Sequence, residues 1–237
     1  MRIGLLVTLI LMVGLVHAAR ITVGPADEDF SQIQKAIDNS TDGDIIEVHS
    51  GTYVERLRIR KPLTLLGLDT GDGLPVVNAS GSSSAVILTA DGSTVEGFNL
   101  TRSGHCACGS AGIQVASNNN TVQKNILYKN KYGIYVKPGY FNNTFIFNDF
   151  LENEIAASDL GNNNSWNSSI RAEGLLERLT VFLTGERMKG NYYSNYDEPE
   201  EDCNDTEDDG FCDLPRNISG GTSVDLYPST KPFQISF

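Results

Sequence analysis

Soft-metal ligands are scarce in this chain: of 237 residues, three are histidine, three methionine and four cysteine. Past the N-terminal leader only His49, His105 and Met188 remain besides the cysteines, too few for a copper-rich protein. Basic residues are also few, 18 Lys and Arg against 30 Asp and Glu, for a net charge of −12. That balance argues against nucleic acid and anionic lipid as partners and favours cations and neutral surfaces. After the first 18 residues no stretch approaches the ~20 apolar residues that a membrane span requires. Between 86 and 158 there is no helical periodicity of useful length and no dense leucine frame. Helical solenoids and leucine-rich repeats are thereby excluded.

What fills 86–158 is a short pattern repeated three times. Gly97-Phe98-Asn99-Leu100, Lys124-Asn125-Ile126-Leu127 and Phe147-Asn148-Asp149-Phe150 each follow a Thr-led apolar run, Thr94-Val95, Thr121-Val122 and Thr144-Phe145-Ile146. Asn99, Asn125 and Asn148 are the first marker; Ile113, Ile134 and Ile155 are a second, predicted to recur every 21 residues. Each unit holds short runs of β-branched and aromatic residues punctuated by Gly, Asn and Ser, which are strands and tight turns. Units of this size that cannot bury a face alone must stack. The expected fold is all-β: a right-handed parallel β-helix with an N-terminal capping helix.

Met1-Arg2 is a positive n-region, residues 3–16 are almost wholly apolar, and Val16-His17-Ala18 ends in small residues. This predicts a secretory signal peptide over 1–18, with an uncleaved anchor as the alternative. Its removal takes away Arg2 and leaves a charge of −13 (−12 less one positive charge) on a single domain, 19–237. The expected divisions are 20–67 for the cap and first coils, 86–165 for the regular repeats, and 166–237 for irregular C-terminal coils. Arg20-Ile21-Thr22-Val23 is a strand; Phe30, Ile33, Ala36 and Ile37 predict an amphipathic helix over 29–39, the cap that covers the open end of a solenoid. Leu57 and Ile59 against Arg58 and Arg60 bury one strand face. The period breaks over 170–188, where strands and a helical turn near 173–178 are expected.

The run 44–67, with Gly43-Asp44, Glu47-Val48, Ser50-Gly51-Thr52-Tyr53 and Lys61-Pro62-Leu63-Thr64-Leu65-Leu66-Gly67, resembles the first coil of NosD-like, pectate-lyase-superfamily β-helix proteins. Trp166-Asn167-Ser168 and Gly190-Asn191-Tyr192-Tyr193-Ser194-Asn195-Tyr196 are similar to that family's C-terminal signature, with Tyr193 standing where tryptophan is usual. The resemblance covers roughly 21–230. It implies fold more than chemistry, since such folds host many functions.

Asp205-Thr206-Glu207-Asp208-Asp209-Gly210-Phe211-Cys212-Asp213, within the loop 202–213, has calcium-loop spacing. Asp205, Glu207, Asp209 and Asp213 would offer carboxylates, Phe211 its carbonyl, and Gly210 the sharp turn. The glutamate of a full EF-hand is missing, because Arg216 stands there; Asp225 is a supplementary candidate. A solvated acidic loop is the alternative reading. Cys203 and Cys212 bracket the loop, and in an exported chain a disulfide is their default, with a thiolate metal site as the alternative. His105, Cys106 and Cys108 lie in a bulge over 103–110. They could bind Cu(I), the metal that the family's namesakes imply, or the cysteines could form a disulfide or stay free.

Tyr128, Tyr132, Tyr135 and Tyr140 are candidate carbohydrate-stacking rings, with burial in the core as the competing reading. Phe145, Phe147 and Phe150 are expected to alternate inward. Hydrolase and lyase constellations of this fold are not matched: Gly104-His105-Cys106 and Arg58-Ile59-Arg60 are only partial. Asp149, Glu152 and Glu154 with Lys124, Lys129 and Lys131 are expected to be an exposed charged face rather than a catalytic set. Nine sequons, at Asn39, Asn78, Asn99, Asn119, Asn142, Asn163, Asn167, Asn204 and Asn217, either carry glycans or follow from αL corners. The functional expectation is a secreted or cell-surface, non-catalytic protein contacting carbohydrate or envelope components, with structural calcium. Copper handling is the second reading and a polysaccharide lyase or hydrolase the third.

Overall fold

A computed structural model describes residues 18–106, 108–168 and 189–234. The signal segment over 1–17 and the strands and turn expected within 170–188 lie outside the described residues. The chain visits three parallel sheets in turn and winds a parallel β-helix. The first sheet stacks Arg20–Val23, Ile45–His49, Thr64–Leu68, Thr94–Glu96, Thr121–Gln123 and Thr144–Ile146. The second stacks Thr52–Tyr53, Val76–Asn78, Asn99–Thr101, Ile126–Tyr128, Asp149–Leu151 and Tyr192–Tyr193. The third stacks Leu57–Ile59, Val86–Leu88, Ala111–Val115, Tyr132–Val136 and Ile155–Asp159.

The cap helix is shorter than its pattern predicts, Ile33–Asn39. Two contacts take residues 29 and 30 out of it. Asp29 accepts hydrogen bonds from Thr22 N–H (2.8 Å) and Oγ1 (2.9 Å), and Phe30 pairs with Val23 as a β-bridge. The helix begins where Glu55, from the first coil, accepts the amides of Ile33 (3.0 Å) and Gln34 (2.9 Å). A carboxylate there satisfies orphan donors and meets the positive end of the helix. Ile33, Ala36 and Ile37 are buried against the open end of the stack.

Each coil turns three corners, and a left-handed residue begins most of them. Lys124, Phe147, Lys129, Glu152, Asn119, Asn142 and Asn163 all have φ between 49° and 57°. At the matching corner one coil earlier Gly97 (φ 80°) approaches Gly67 so closely that a Cβ would lie 2.4 Å from the Gly67 carbonyl oxygen. Only glycine fits there.

An asparagine follows each of the seven non-glycine corners named, buried at Asn120, Asn125, Asn130, Asn143 and Asn148 and half-buried at Asn153 and Asn164, and this corrects the register read from sequence. Asn125 stacks under Asn148 as marked, but Asn99 does not stack under Asn125: Asn125 Oδ1 accepts from Phe98 N–H at 3.1 Å, while Asn99 pairs with Ile126. The first coil carries Phe98 where later coils carry asparagine, so its Asn99 sits one residue further on. The isoleucine marker also slips. Ile113 pairs with Ile134, but Ile134 pairs with Ala157 and Ile155 with Tyr132, because this coil is two residues longer than the one before.

The resulting ladder runs Asn125, Asn148, Asn191, Asp225, each with no exposed surface. Each rung's Oδ accepts the backbone amide and Nδ2 of the rung before it at 2.8–3.1 Å. Nδ2 also reaches inward carbonyls, such as Val122 from Asn148 (2.9 Å). Asp225 can only accept, so it ends the series; it also takes Tyr193 Oη–H at 3.1 Å. A second ladder joins Asn120, Asn143 and Asn164, and a third joins Asn130 and Asn153.

Inside the stack, side chains grow toward the C-terminal end. Val95 and Val122 are followed by Phe145 and then Trp166; Leu100 and Leu127 are followed by Phe150 and Tyr193. Phe147, expected inward, instead occupies a corner and meets Phe233 edge-on at 5.5 Å. That contact belongs to a C-terminal strap across the second sheet, where buried Asp149 accepts the amides of Phe233 and Gln234, both at 2.8 Å.

Burial pushes Asp149 and Asp225 each up to about 6, in spite of the donors that hold them. A raised carboxyl favours folding below its ordinary range and loses that contribution as pH rises through about 6. For Asp225 the rise is worth on the order of 2–3 kcal/mol. Glu28, Asp29, Asp44 and Glu154 are held lower than usual, so their effect falls at more acidic pH. The protein is therefore expected to melt higher at pH 5 than at pH 7.5. Asp225→Asn should shrink that difference in thermal melts followed by circular dichroism; an unchanged difference would reject this role.

Candidate functional site

The outer face of the third sheet collects the residues best suited to contact a ligand. Tyr132 and Tyr135 point outward from Tyr132–Val136, their rings 5.0 Å apart and tilted by 53°. Tyr135 packs on the 103–110 bulge, where a Cβ on Gly109 would lie 2.5 Å from its ring. One coil further, Ile155 and Ser158 stand over Tyr132 and Tyr135, and Ser158 pairs with Ser219 of the C-terminal segment.

Between that coil and the C-terminal segment lies a cleft of about 180 Å³, lined by Glu154, Asn195, Arg216, Asn217 and Ser219 among others. A wider cleft beyond shares Arg216 and Asn217 and adds Tyr196. The Arg216 guanidinium lies 4.4 Å above the Tyr193 ring and 5.1 Å from that of Tyr196. Asn195 Oδ1 accepts from its Nη2 at 2.9 Å. Desolvation lowers the Arg216 pKa, and among the described residues no carboxylate lies within ion-pair distance of it. A desolvated cation over two rings, flanked by amides, suits a carboxylate or a polar sugar edge.

Sequence reasoning did not select this cleft. Arg216 entered only as the residue displacing a calcium-loop glutamate, although the cluster Tyr192, Tyr193 and Tyr196 was a usable signal.

The other tyrosine candidates are dispersed. Tyr128 lies across a corner on the second sheet, with Lys129 Nζ 4.7 Å over its ring. Tyr140 packs against the core. The charged residues pair between coils: Lys129 with Glu152 (3.4 Å), Lys131 with Glu154 (2.6 Å) and Lys124 with Glu96 (2.8 Å). Asp149 lies under the strap, away from those pairs.

The acidic loop closes on itself. Asp205 accepts the amides of Asp209 (2.9 Å) and Gly210 (2.8 Å), and Asp213 accepts from Thr206 N–H (3.1 Å) and Oγ1 (2.8 Å). Asp209 accepts from Phe211 N–H at 3.1 Å. A calcium cage needs several of these oxygens to converge, and among the described residues no group of three or more His, Cys, Asp or Glu does so. In this conformation the residues do not fit the ion. Asp225, the supplementary candidate, ends the buried ladder instead. Cys203 and Cys212 form a buried disulfide at the base of the loop.

His105 is exposed, with Nδ1 2.9 Å from Glu154 Oε1, and Cys106 is joined to Cys108 in a disulfide. The sulfurs are thus bonded to each other, and the trio does not supply the thiolates of a Cu(I) site.

Corner geometry accounts for three sequons. Asn119, Asn142 and Asn163 are exposed left-handed residues, the following asparagine is a ladder rung, and Thr121, Thr144 or Ser165 opens the next strand or bridge. Asn167 is buried.

Comparison with known proteins gives relatives of two kinds. A "Cell surface glycoprotein" of Methanothermus fervidus is 36% identical over 97 residues, 40% of this chain and 16% of that protein. The chain thus spans only a small part of that relative's length. Two crystal structures of pectin methylesterase from Aspergillus niger are similar at low level. The deglycosylated form has 20% identity over 65% of this chain and 62% of that one, with a TM-score of 0.38. The penultimately deglycosylated form has 18% identity over 76% and 66%, with a TM-score of 0.37. Neither carries a functional inference. No helix among the described residues is long and apolar enough to cross a membrane. Residues 77–198, just over half of the chain, match the family described as "Periplasmic copper-binding protein (NosD)", and with its stacked coils and C-terminal aromatic signature the chain belongs to the NosD family.

Proposed function

We propose that this is a cell-surface or periplasmic β-helix protein that holds carbohydrate of the envelope without cleaving it. The observation that carries the reading is the succession along the third sheet of the Tyr132–Tyr135 pair and, beside the next coil, the Arg216 cleft. Aromatic rings stack on sugars, and an unpaired guanidinium favours glycans bearing carboxylates. The family match and the surface-glycoprotein relative support the location.

The test is retention of the chain on a polysaccharide panel, with new reducing or unsaturated ends measured alongside. Retention without product is expected. Replacing Tyr132 and Tyr135 together by alanine should weaken binding roughly tenfold, about 1.4 kcal/mol. Arg216→Gln should act on acidic glycans only. Cleavage products would overturn the reading, as would retention indifferent to all three residues. The calcium reading rests on sequence spacing alone, and repeating the assay with calcium or a chelator decides it. Copper handling is the second reading, favoured by the family's description; copper bound stoichiometrically to the purified chain and lost with Cys106→Ser would put it first.

A further inference from the structure

The two disulfides of this protein sit in opposite environments. Cys203 and Cys212 are 2% and 4% exposed and brace a loop of the C-terminal cap. Cys106 and Cys108 both lie exposed on the 103–110 bulge, joined at a Cα separation of 5.1 Å across a single intervening residue. A disulfide closing so small a ring returns little chain entropy on folding, whereas one spanning nine residues returns more. The exposed bond is therefore the less protected of the two, in both access and stabilisation.

Hydrogen bonds hold the bulge on both sides of that bond. Gly104 N–H donates to Ser83 O (2.6 Å), Ser103 N–H to Asn130 Oδ1 (3.0 Å), and Gln114 Nε2 to Gly109 O (2.7 Å). These anchors flank the cysteines on both sides; the first two tie the bulge to neighbouring coils and the third to the strand that follows it. A disulfide that neither holds the fold nor hides from solvent has the features of an exchangeable one.

We propose that Cys106–Cys108 is a thiol–disulfide exchange site, acting with an external dithiol of the cell envelope. A thiolate of that dithiol attacks Cys108 Sγ, the Cys106–Cys108 bond breaks, and Cys106 leaves carrying the electron pair. The backbone N–H of Cys108 donates to Cys106 Sγ at 3.2 Å, which marks Cys106 as the better-stabilised leaving sulfur. The second thiolate of the dithiol then attacks its own sulfur in the mixed disulfide and releases Cys108. Two electrons and two protons pass to the bulge, and the external dithiol becomes the disulfide; the reverse sequence oxidises a partner. This chemistry is independent of the carbohydrate face.

The test uses the folded full chain in buffers of graded reduced-to-oxidised dithiothreitol, quenched with an alkylating agent and read by peptide mass spectrometry. Cys106–Cys108 is expected to open at about 100-fold or more lower reduced-to-oxidised ratio than Cys203–Cys212, with the circular dichroism spectrum unchanged. Opening of Cys203–Cys212 first, or of both bonds together, would overturn the proposal, as would a bulge disulfide that survives until the chain unfolds. With glutathione disulfide supplied as the oxidised partner, Cys106→Ser should form a mixed disulfide on Cys108 with release of one glutathione thiol, and an equal yield from Cys108→Ser would reject the assigned direction. Replacing both cysteines by serine tests the anchoring: a melting temperature unchanged within a few degrees is expected, and a large fall would overturn the claim that the bond is structurally dispensable.

Discussion

Trp166→Ala is expected to lower the unfolding free energy by about 3–5 kcal/mol, the usual range for emptying a buried large aromatic site. Trp166 has no exposed surface; its ring lies 4.4 Å from Phe145 and 6.4 Å from Phe150. It plugs the C-terminal end of the stack, where no further coil of the first sheet follows Thr144–Ile146 among the described strands. Alanine would leave a cavity that rigid coils cannot close. It would also strip one donor from Asp159, whose Oδ2 accepts from Trp166 Nε1 at 3.0 Å and from Ser223 Oγ at 2.7 Å. Trp166→Phe separates the two contributions: it keeps most of the volume and loses the hydrogen bond, for about 1–3 kcal/mol. Denaturant titration followed by far-ultraviolet circular dichroism measures all three proteins. Fluorescence would not serve, because Trp166 is the sole tryptophan. A loss under 1 kcal/mol for alanine would mean that the end of the stack is closed by something other than this ring.

Cutting the long ladder should cost nearly as much. In Asn148→Ala, the Asn125 amide and Nδ2 lose their shared acceptor, the Val122 carbonyl loses the Nδ2 donor, and Asn191 Oδ1 keeps the backbone N–H of residue 148 but loses the side-chain donor. All of these groups are buried, and each one left unsatisfied costs about 1–3 kcal/mol, partly recovered by relaxation, so about 2–5 kcal/mol is expected. Asn142→Ala is the control: it is exposed, left-handed and outside the hydrogen-bonded ladders, so only its backbone preference should register. Equal losses for Asn142 and Asn148 would show that asparagine matters here for the corner and not for the ladder.

These two substitutions fall on residues that differ in how readable they were. Trp166 belonged to a recognisable aromatic signature, and the structure shows that its ring is buried. Asn148 and its neighbour Asn125 were picked out by periodicity, yet the third marker, Asn99, was misaligned by one residue, because Phe98 stands in the place of asparagine one coil before Asn125. The fold survived that error, since it rests on the repeated strands and corners and not on which asparagine stacks on which. The site did not. His105, Cys106 and Cys108 were found as a cluster, but the link from His105 to Glu154 spans 49 residues and had no local signal. Arg216 depended on Tyr193, Tyr196 and Asn195, none of which marks an arginine partner in a linear reading. Tyr140 and Tyr132 look alike in sequence, and only packing separates the one against the core from the one on the outer face.

What sequence alone determined was the repeat, the short strands of each coil, the corners and the helical cap. Each of these follows from residue types within a few positions of one another, through side-chain alternation and the backbone preferences of Gly and Asn. The tertiary structure decided which residues meet. In the asparagine ladders, contacts between coils join positions 21 to 43 residues apart, and a bulge or a longer turn shifts every later partner. A shift of one residue also exchanges the inner and outer faces of a strand. The ladder rungs, the strap over Asp149 and the cleft under Arg216 therefore exist only once the coils have stacked.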